Sequence, residues 1–501
     1  MLPECGDRGV GWLAEQRASW WARYDRTVQS PAVLAAIGLG WMALLLVLSP
    51  VFGVHWQHLG DVGWRTLMYM HGIFLPLVAV LGLLVAVVLE VPGHIRTLLA
   101  WSLPPAIALN GLGSIFNVNP PPHEIAVALW AQIVGFFVLD EIAVALIIGL
   151  AMLPRARGKT WWGMGPAFWA LVICVASAFV AAIVGHVAGG GISWGKGFYA
   201  LFPGWLHDIH GIGFKHVSDY VGNLAVAHSH EMLPAVMGGI VALTALVFRY
   251  QEQPSARARH VVDAGLVVVV VGELLTAWVY LYSAIGNYAI PTLFASGTGG
   301  MNGLAMDDAI TGVVALGSLI VLVGLLAMGW QNPAGRWVAN AVDPLRGPVL
   351  ATWVVAVISI AGVGYPIEFH ETYYGFGTKG TPPKGGPGWI HDLAFTRSHL
   401  LLGFFLMPVV ATSFLAVAYF QGRLGRAAGV AHGRIALLAY AGMALGLAGQ
   451  ILWVVTGTQS WLYFIGFALT VVALAFLAFT QAGVAATERV SRDSSALGGR
   501  P

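Results

Sequence analysis

Three histidines, His71, His230 and His399, lie at similar depths in three apolar segments that all begin on the same side of a membrane. Their surroundings echo one another. Asp61 to Pro76 reads DVGWRTLMYMHGIFLP, Asp219 to Pro234 reads DYVGNLAVAHSHEMLP, and the stretch from Asp392 reads DLAFTRSHLLLG. Each is an acid, a short lead-in, a histidine and a largely apolar run. An imidazole costs free energy in hydrocarbon unless it is hydrogen-bonded or bound, and neutral imidazole is the commonest metal ligand of proteins. The chemistry to expect is metal or haem ligation within the bilayer. The plainer reading, that each ring bonds a carbonyl or lines a hydrated crevice, weakens when three such rings recur in related frames.

The elements that would position these rings are membrane helices. The chain is 58% hydrophobic and 10% charged, with mean hydropathy +0.77, against roughly 25% charged residues in a soluble protein. Uncharged windows of about 20 residues, the length that crosses the hydrocarbon core, recur along it. Segments 31–53, 66–89, 97–116 and 161–184 qualify, and the run 435–487 must fold back near Thr456–Ser460. About twelve spans are expected, near 31–54, 66–90, 97–117, 124–153, 162–188, 220–249, 261–288, 308–330, 347–366, 394–421, 433–456 and 460–483. An N-terminal interfacial segment (1–30), a transmembrane domain (31–485) and a C-terminal tail (486–501) complete the division.

Basic residues alternate between loops: Arg155, Arg157 and Lys159, then Arg249, Arg257 and Arg259, then Arg336 and Arg346, then Arg423, Arg426 and Arg434. By the positive-inside rule both termini are cytoplasmic, and spans two, six and ten enter from outside. The first 30 residues, with four arginines and paired Trp20–Trp21, read as an interfacial segment without a cleavable signal. Cys5 and Cys174 form no C-x-x-C-H, which excludes the usual covalent haem c. A net charge of +2 and the lack of phosphate-loop motifs give no support to a nucleic-acid partner.

Residues on a helix rise about 1.5 Å each, so histidines 5–10 residues past their helix starts share a plane about 8–15 Å deep. Facing helices at one depth can supply two imidazoles to opposite faces of a porphyrin. On this placement the chain resembles the catalytic subunit of the haem–copper oxidase and nitric oxide reductase superfamily, along its whole length. The resemblance implies an all-α fold of about twelve spans in a pseudo-threefold arrangement. It implies that His71 in MYMHG and His399 in RSHLLLG ligate a low-spin haem b. It implies that His230 in AHSHEM falls where a copper ligand stands. The high-spin ligand's place holds Arg397, and the expected histidine pair of span seven is replaced by the run 284–288, AIGNY, which includes Asn287. A guanidinium stays protonated and offers no lone pair to iron, and an amide oxygen is poorly matched to copper. A second centre of copper or non-haem iron is therefore not expected.

Other residues keep alternatives open. His228 and His230 stand about 200° apart on a helix and do not share one metal unless it distorts near Pro234; His230 with Glu231 remains a candidate pair. The run HSHEM is also similar to multi-spanning haem and copper proteins of the nitric oxide response. Arg65 and Arg397 lie near the expected haem plane, to pair with propionates or to snorkel to headgroups. WLHD at 205–208 and WIHD at 389–392 repeat in the outer loops, where His207, His210, His216 and His391 could cap a haem, although interfacial loop chemistry is the plainer reading. Asp140, Glu141 and Glu273 are mid-span acids, Glu90 reads as an interfacial anchor, and no expected span carries a lysine, which argues against the family's lysine proton channel.

The leading expectation is a haem b electron-transfer subunit of a bacterial or archaeal plasma membrane. It would work between a quinol or an external redox protein, such as a cytochrome c or cupredoxin, and a partner enzyme. The alternatives are an oxidase or nitric oxide reductase with substituted ligands, a haem or copper protein of the nitric oxide response, and a transporter.

Overall fold

The structure, a computed structural model, describes residues 30–49, 64–118, 125–194, 217–286, 304–330, 343–363, 394–395, 398–420 and 426–498. Among these are twelve α-helices: α1 (Pro31–Leu48), α2 (Trp64–Val88), α3 (Gly93–Val118), α4 (Ile125–Ala156), α5 (Pro166–Trp194), α6 (Val217–Val247), α7 (Ala256–Gly286), α8 (Leu304–Trp330), α9 (Arg346–Val357), α10 (Met407–Phe420), α11 (Arg426–Thr456) and α12 (Trp461–Gly498). A π-helical stretch, Ile358–Gly362, extends α9, and another, Leu400–Leu406, leads into α10.

Ten of the helices are long and apolar enough to cross a membrane: α1, α2, α4 to α8, α10 with its π-helical lead-in, α11 and α12. The protein is a multi-pass membrane protein in contact with lipid. The fold-back expected in 435–487 falls between the end of α11 at Thr456 and the start of α12 at Trp461. Helices α3 and α9 occupy the two remaining expected places but differ in character. Helix α3 carries Pro104 and Pro105, and its polar residues join it to α4. Asn110 Nδ2 donates to Ala106 O and Gly135 O, both at 2.9 Å. Ser114 Oγ accepts from Gln132 Nε2 at 3.3 Å, and Ser102 Oγ donates to Glu141 Oε1 at 3.0 Å. Lipid tails are as apolar as leucine, so contacts of this kind and close backbone packing hold membrane helices together. The close packing is plainest between α7 and α8, where a Cβ on Gly265 or on Gly317 would lie 2.7 Å from a backbone nitrogen of the other helix.

Consecutive helices pack on one another from α1 through α10 and again from α11 to α12; α9 also packs on α11, α10 on α12, and α12 packs back on α1. Helices α2, α6 and α10 each also touch the other two. They are the most enclosed spans: 61%, 78% and 89% of their apolar windows are buried, against at most 50% elsewhere. The three helices that carry His71, His228 and His230, and His399 therefore meet at the centre. Cross-links hold this region in place. Tyr69, two residues before His71 on α2, donates its hydroxyl to Leu45 O of α1, and Tyr463 of α12 donates to Ser398 O beside His399 at 3.1 Å.

Candidate functional site

Helix α6 presents histidines to two neighbours. His228 faces α5 and α2. Its Nδ1 lies 2.7 Å from Ala181 O; a carbonyl can only accept, so Nδ1 carries the proton and Nε2 keeps the lone pair that could bind a metal. Its ring is parallel to that of His71 within 8°, with centroids 6.4 Å apart. Room for the ring comes from Gly185, where a Cβ would stand 2.5 Å from His228 Nδ1. His230, two residues on, lies about 200° round the helix from His228. Its Nδ1 is 3.2 Å from Ser229 Oγ, and it lies within electrostatic reach of His399.

His399 is anchored as His228 is. Its Nδ1 donates to Phe395 O at 2.8 Å, leaving Nε2 as the coordinating atom, and its ring stacks on Phe395 at 4.2 Å and 9°. It stands immediately before the π-helical stretch 400–406, and such widened turns recur at functional sites. The structure brings the His71 and His228 rings together and leaves His230 within electrostatic reach of His399.

Below the His71–His228 pair lies a cleft of about 150 Å³, partly open to the surroundings, between α2, α4, α5 and α6. Its walls are overwhelmingly apolar, with Val78, Leu81, Leu146, Ala178 and Met232 among them, and its polar groups include His71, His228 and Asp140. Asp140 Oδ2 in turn meets His186 Nδ1 of α5 at 3.4 Å. His186 was not legible as a site residue. The available signal was depth: α4 and α5 form an antiparallel hairpin, and residues 140 and 186 lie nearly equidistant along the helices from its turn.

The acids flagged as mid-span separate into two kinds. Glu141 is satisfied by Ser102. Glu231 and Glu273 are fully buried, and no oxygen of either finds a hydrogen-bond partner; they interact electrostatically with each other, and Cys174 lies beside Glu273. Glu90 sits just past the C-terminal end of α2 with a positive φ of 54°, and the neighbouring Leu89 O accepts from Arg157 Nη2 at 2.6 Å. Among the described residues no group of three or more His, Cys, Asp or Glu is arranged to hold a metal ion. Arg65 lies in α2. Arg397, Asn287, His207, His210, His216 and His391 lie outside the described residues.

No family model matches the chain, and no solved structure does. A 113-residue stretch, 23% of the chain, is 31% identical to a Bacillus subtilis (strain 168) protein named "Putative molybdenum transport system permease protein YvgM". The match covers 42% of that protein, so the chain spans less than half the length of the relative it matches.

Proposed function

We propose that this chain is a membrane haem b protein of a bacterial or archaeal plasma membrane, carrying electrons between a quinol or an external redox protein and an associated enzyme subunit. The observation that carries the reading is the His71–His228 pair. Metal–imidazole bonds are roughly 2 Å long, so two imidazoles on one metal have ring centroids roughly 6 Å apart; the rings here are stacked with centroids 6.4 Å apart, so each would turn a nitrogen edge inward on ligation. The cleft beneath is apolar, as the surroundings of a macrocycle are, and would have to widen to admit one; the backbone bond of His228 fixes the tautomer that ligation needs. A low-spin bis-imidazole haem would supply a one-electron carrier there. Arg65 and Arg397 are the propionate partners in this reading. His399, the ligand that the superfamily resemblance names opposite His71, is the competing partner, since its Nε2 is equally prepared.

The mutual contact of α2, α6 and α10 supports the same scaffold, because a pseudo-threefold bundle of twelve spans would bring its second, sixth and tenth spans together. Cytoplasmic termini follow from the basic loops. Arg397 and Asn287 argue for electron transfer over oxygen or nitric oxide reduction, because neither can replace the imidazole that the superfamily uses.

A second reading, a transporter, is favoured by the partial similarity to a permease and by the buried acids Glu231 and Glu273. One measurement separates the two. A reduced-minus-oxidised spectrum of the purified protein, with metal analysis, shows a low-spin α-band in the haem reading, and His71→Ala abolishes it. A protein without haem or iron leaves the transporter.

A further inference from the structure

The His186–Asp140 pair lies where a charged pair is costly. Asp140 is at the middle of the 32-residue α4, about 24 Å by helical rise from either end, well inside the hydrocarbon. The pair is nevertheless open to that surface, with 27% of the His186 side chain and 15% of the Asp140 side chain exposed. Around it the surface is lipid-facing: Phe137 is 65% exposed, with Val134 and Ile148 on α4 and Ile183 on α5 also exposed. Phe136 and Phe137 flank the imidazole, their ring centroids 5.2 and 6.2 Å from it. On its other side Asp140 lines the histidine cleft, and His186 lies within electrostatic reach of His228.

We propose that His186 and Asp140, framed by Phe136 and Phe137, bind the headgroup of a membrane quinol that docks from the lipid phase against the α4–α5 hairpin. Depth selects the ligand. A phospholipid headgroup stays at the interface, and a phosphate would meet the Asp140 carboxylate without a Lys or Arg among the residues lining the cleft. A neutral polar ring on an apolar chain reaches the bilayer interior. With Nδ1 held by Asp140, the imidazole has Nε2 left to accept a hydroxyl hydrogen, the orientation that a carboxylate imposes on histidine in acid–base pairs. The phenyl rings supply stacking faces for an aromatic headgroup. Choosing a quinol over a redox-inert alcohol rests on the haem reading above, because a donor belongs beside the His71–His228 cleft.

The test uses the full chain in lipid nanodiscs, an azido-benzoquinone photoprobe and a decyl-chain benzoquinol as competitor. Labelling is expected on peptides of α4 and α5, with affinity about tenfold weaker in His186→Phe and several-fold weaker in Asp140→Asn, the scale of one or two lost hydrogen bonds. Phe479→Ala, on the exposed face of α12, should leave labelling unchanged. The proposal is overturned if His186→Phe labels like the parent, or if decyl alcohol displaces the probe as well as the quinol does. It is also overturned if cysteine crosslinks through Phe137 show the face covered by a second copy of the chain. Spectra of the same samples keep the two readings apart. A low-spin band retained in His186→Phe with labelling lost supports both. Labelling on α4 and α5 in a protein without haem sustains the binding site and removes the redox reading.

Discussion

The two sides of α6 treat similar histidines differently. Toward α2 and α5, His228 meets a parallel His71 ring above an apolar cleft, and Gly185 is left small to admit it. On the α10 side, His230 lies within electrostatic reach of an imidazole already stacked on Phe395, beside the most enclosed span of the molecule. Both sides bond a histidine Nδ1 to a backbone carbonyl, so the tautomer does not distinguish them; space does. A planar macrocycle needs a slot, and the first side borders an apolar cleft. The second offers close packing, suited to holding a ring still. In a bundle without a hydrophobic drive between helices, such packing is what fixes side-chain positions.

The largest effect follows directly. His71→Ala and His228→Ala should each abolish the low-spin α-band and bis-imidazole paramagnetic resonance, while His399→Ala retains both. The reverse result for His228 and His399 would move the haem to the α10 side and assign the low-spin site to His71 and His399. Next in size is Gly185→Val. Its branched side chain would occupy the place of the His228 ring, 2.5 Å from Nδ1 at the first carbon, and haem content should fall by more than half. Membrane insertion should be unaffected, because the substitution keeps α5 apolar. Normal haem content in this variant would show that His228 is not held where α5 places it.

Much of this contrast could be read from the sequence, and some could not. Span positions were legible because about 20 uncharged residues have few alternatives in a bilayer. The divergence of His228 and His230 followed from helical geometry. Helix α3 was read as a span by its lack of charge, while the polar groups that join it to α4, Asn110, Ser114 and Ser102, carried no such label. The π-helical stretch that leads from His399 into α10 has no sequence signature. The His71–His228 and Asp140–His186 pairings join residues 157 and 46 positions apart, and only helix order and rotation bring them together.

Between the two sides, Glu231 and Glu273 form a smaller test. Each is enclosed without a hydrogen-bond partner, and an unsatisfied buried polar group costs about 1–3 kcal/mol. Glu273→Met, similar in volume and apolar, should therefore stabilise the bundle by about 1–2 kcal/mol against denaturation in detergent mixtures. The His71–His228 spectrum should not change. If the variant loses stability instead, Glu273 has a partner in the membrane-bound protein, and the acids belong with the functional groups of α6.

The smallest effect belongs to the α10 side. Phe395 covers the His399 ring face to face at 4.2 Å and 9° and supplies the carbonyl for its Nδ1. Phe395→Leu keeps that carbonyl and most of the apolar area but removes the aromatic face. Ring pairs add about 0.5–1.5 kcal/mol beyond area burial, so stability should fall by about 1 kcal/mol. If this side only holds a ring in place, the α-band of Phe395→Leu should match the parent in position and intensity. A displaced or broadened band would mean that orienting His399 matters to the haem, which would shift the low-spin site across α6 toward α10. Read with His399→Ala, this variant separates a ring that ligates from one that packs: ligation predicts a lost band in the first and a shifted band in the second, whereas packing predicts lower stability in both and an unaltered spectrum.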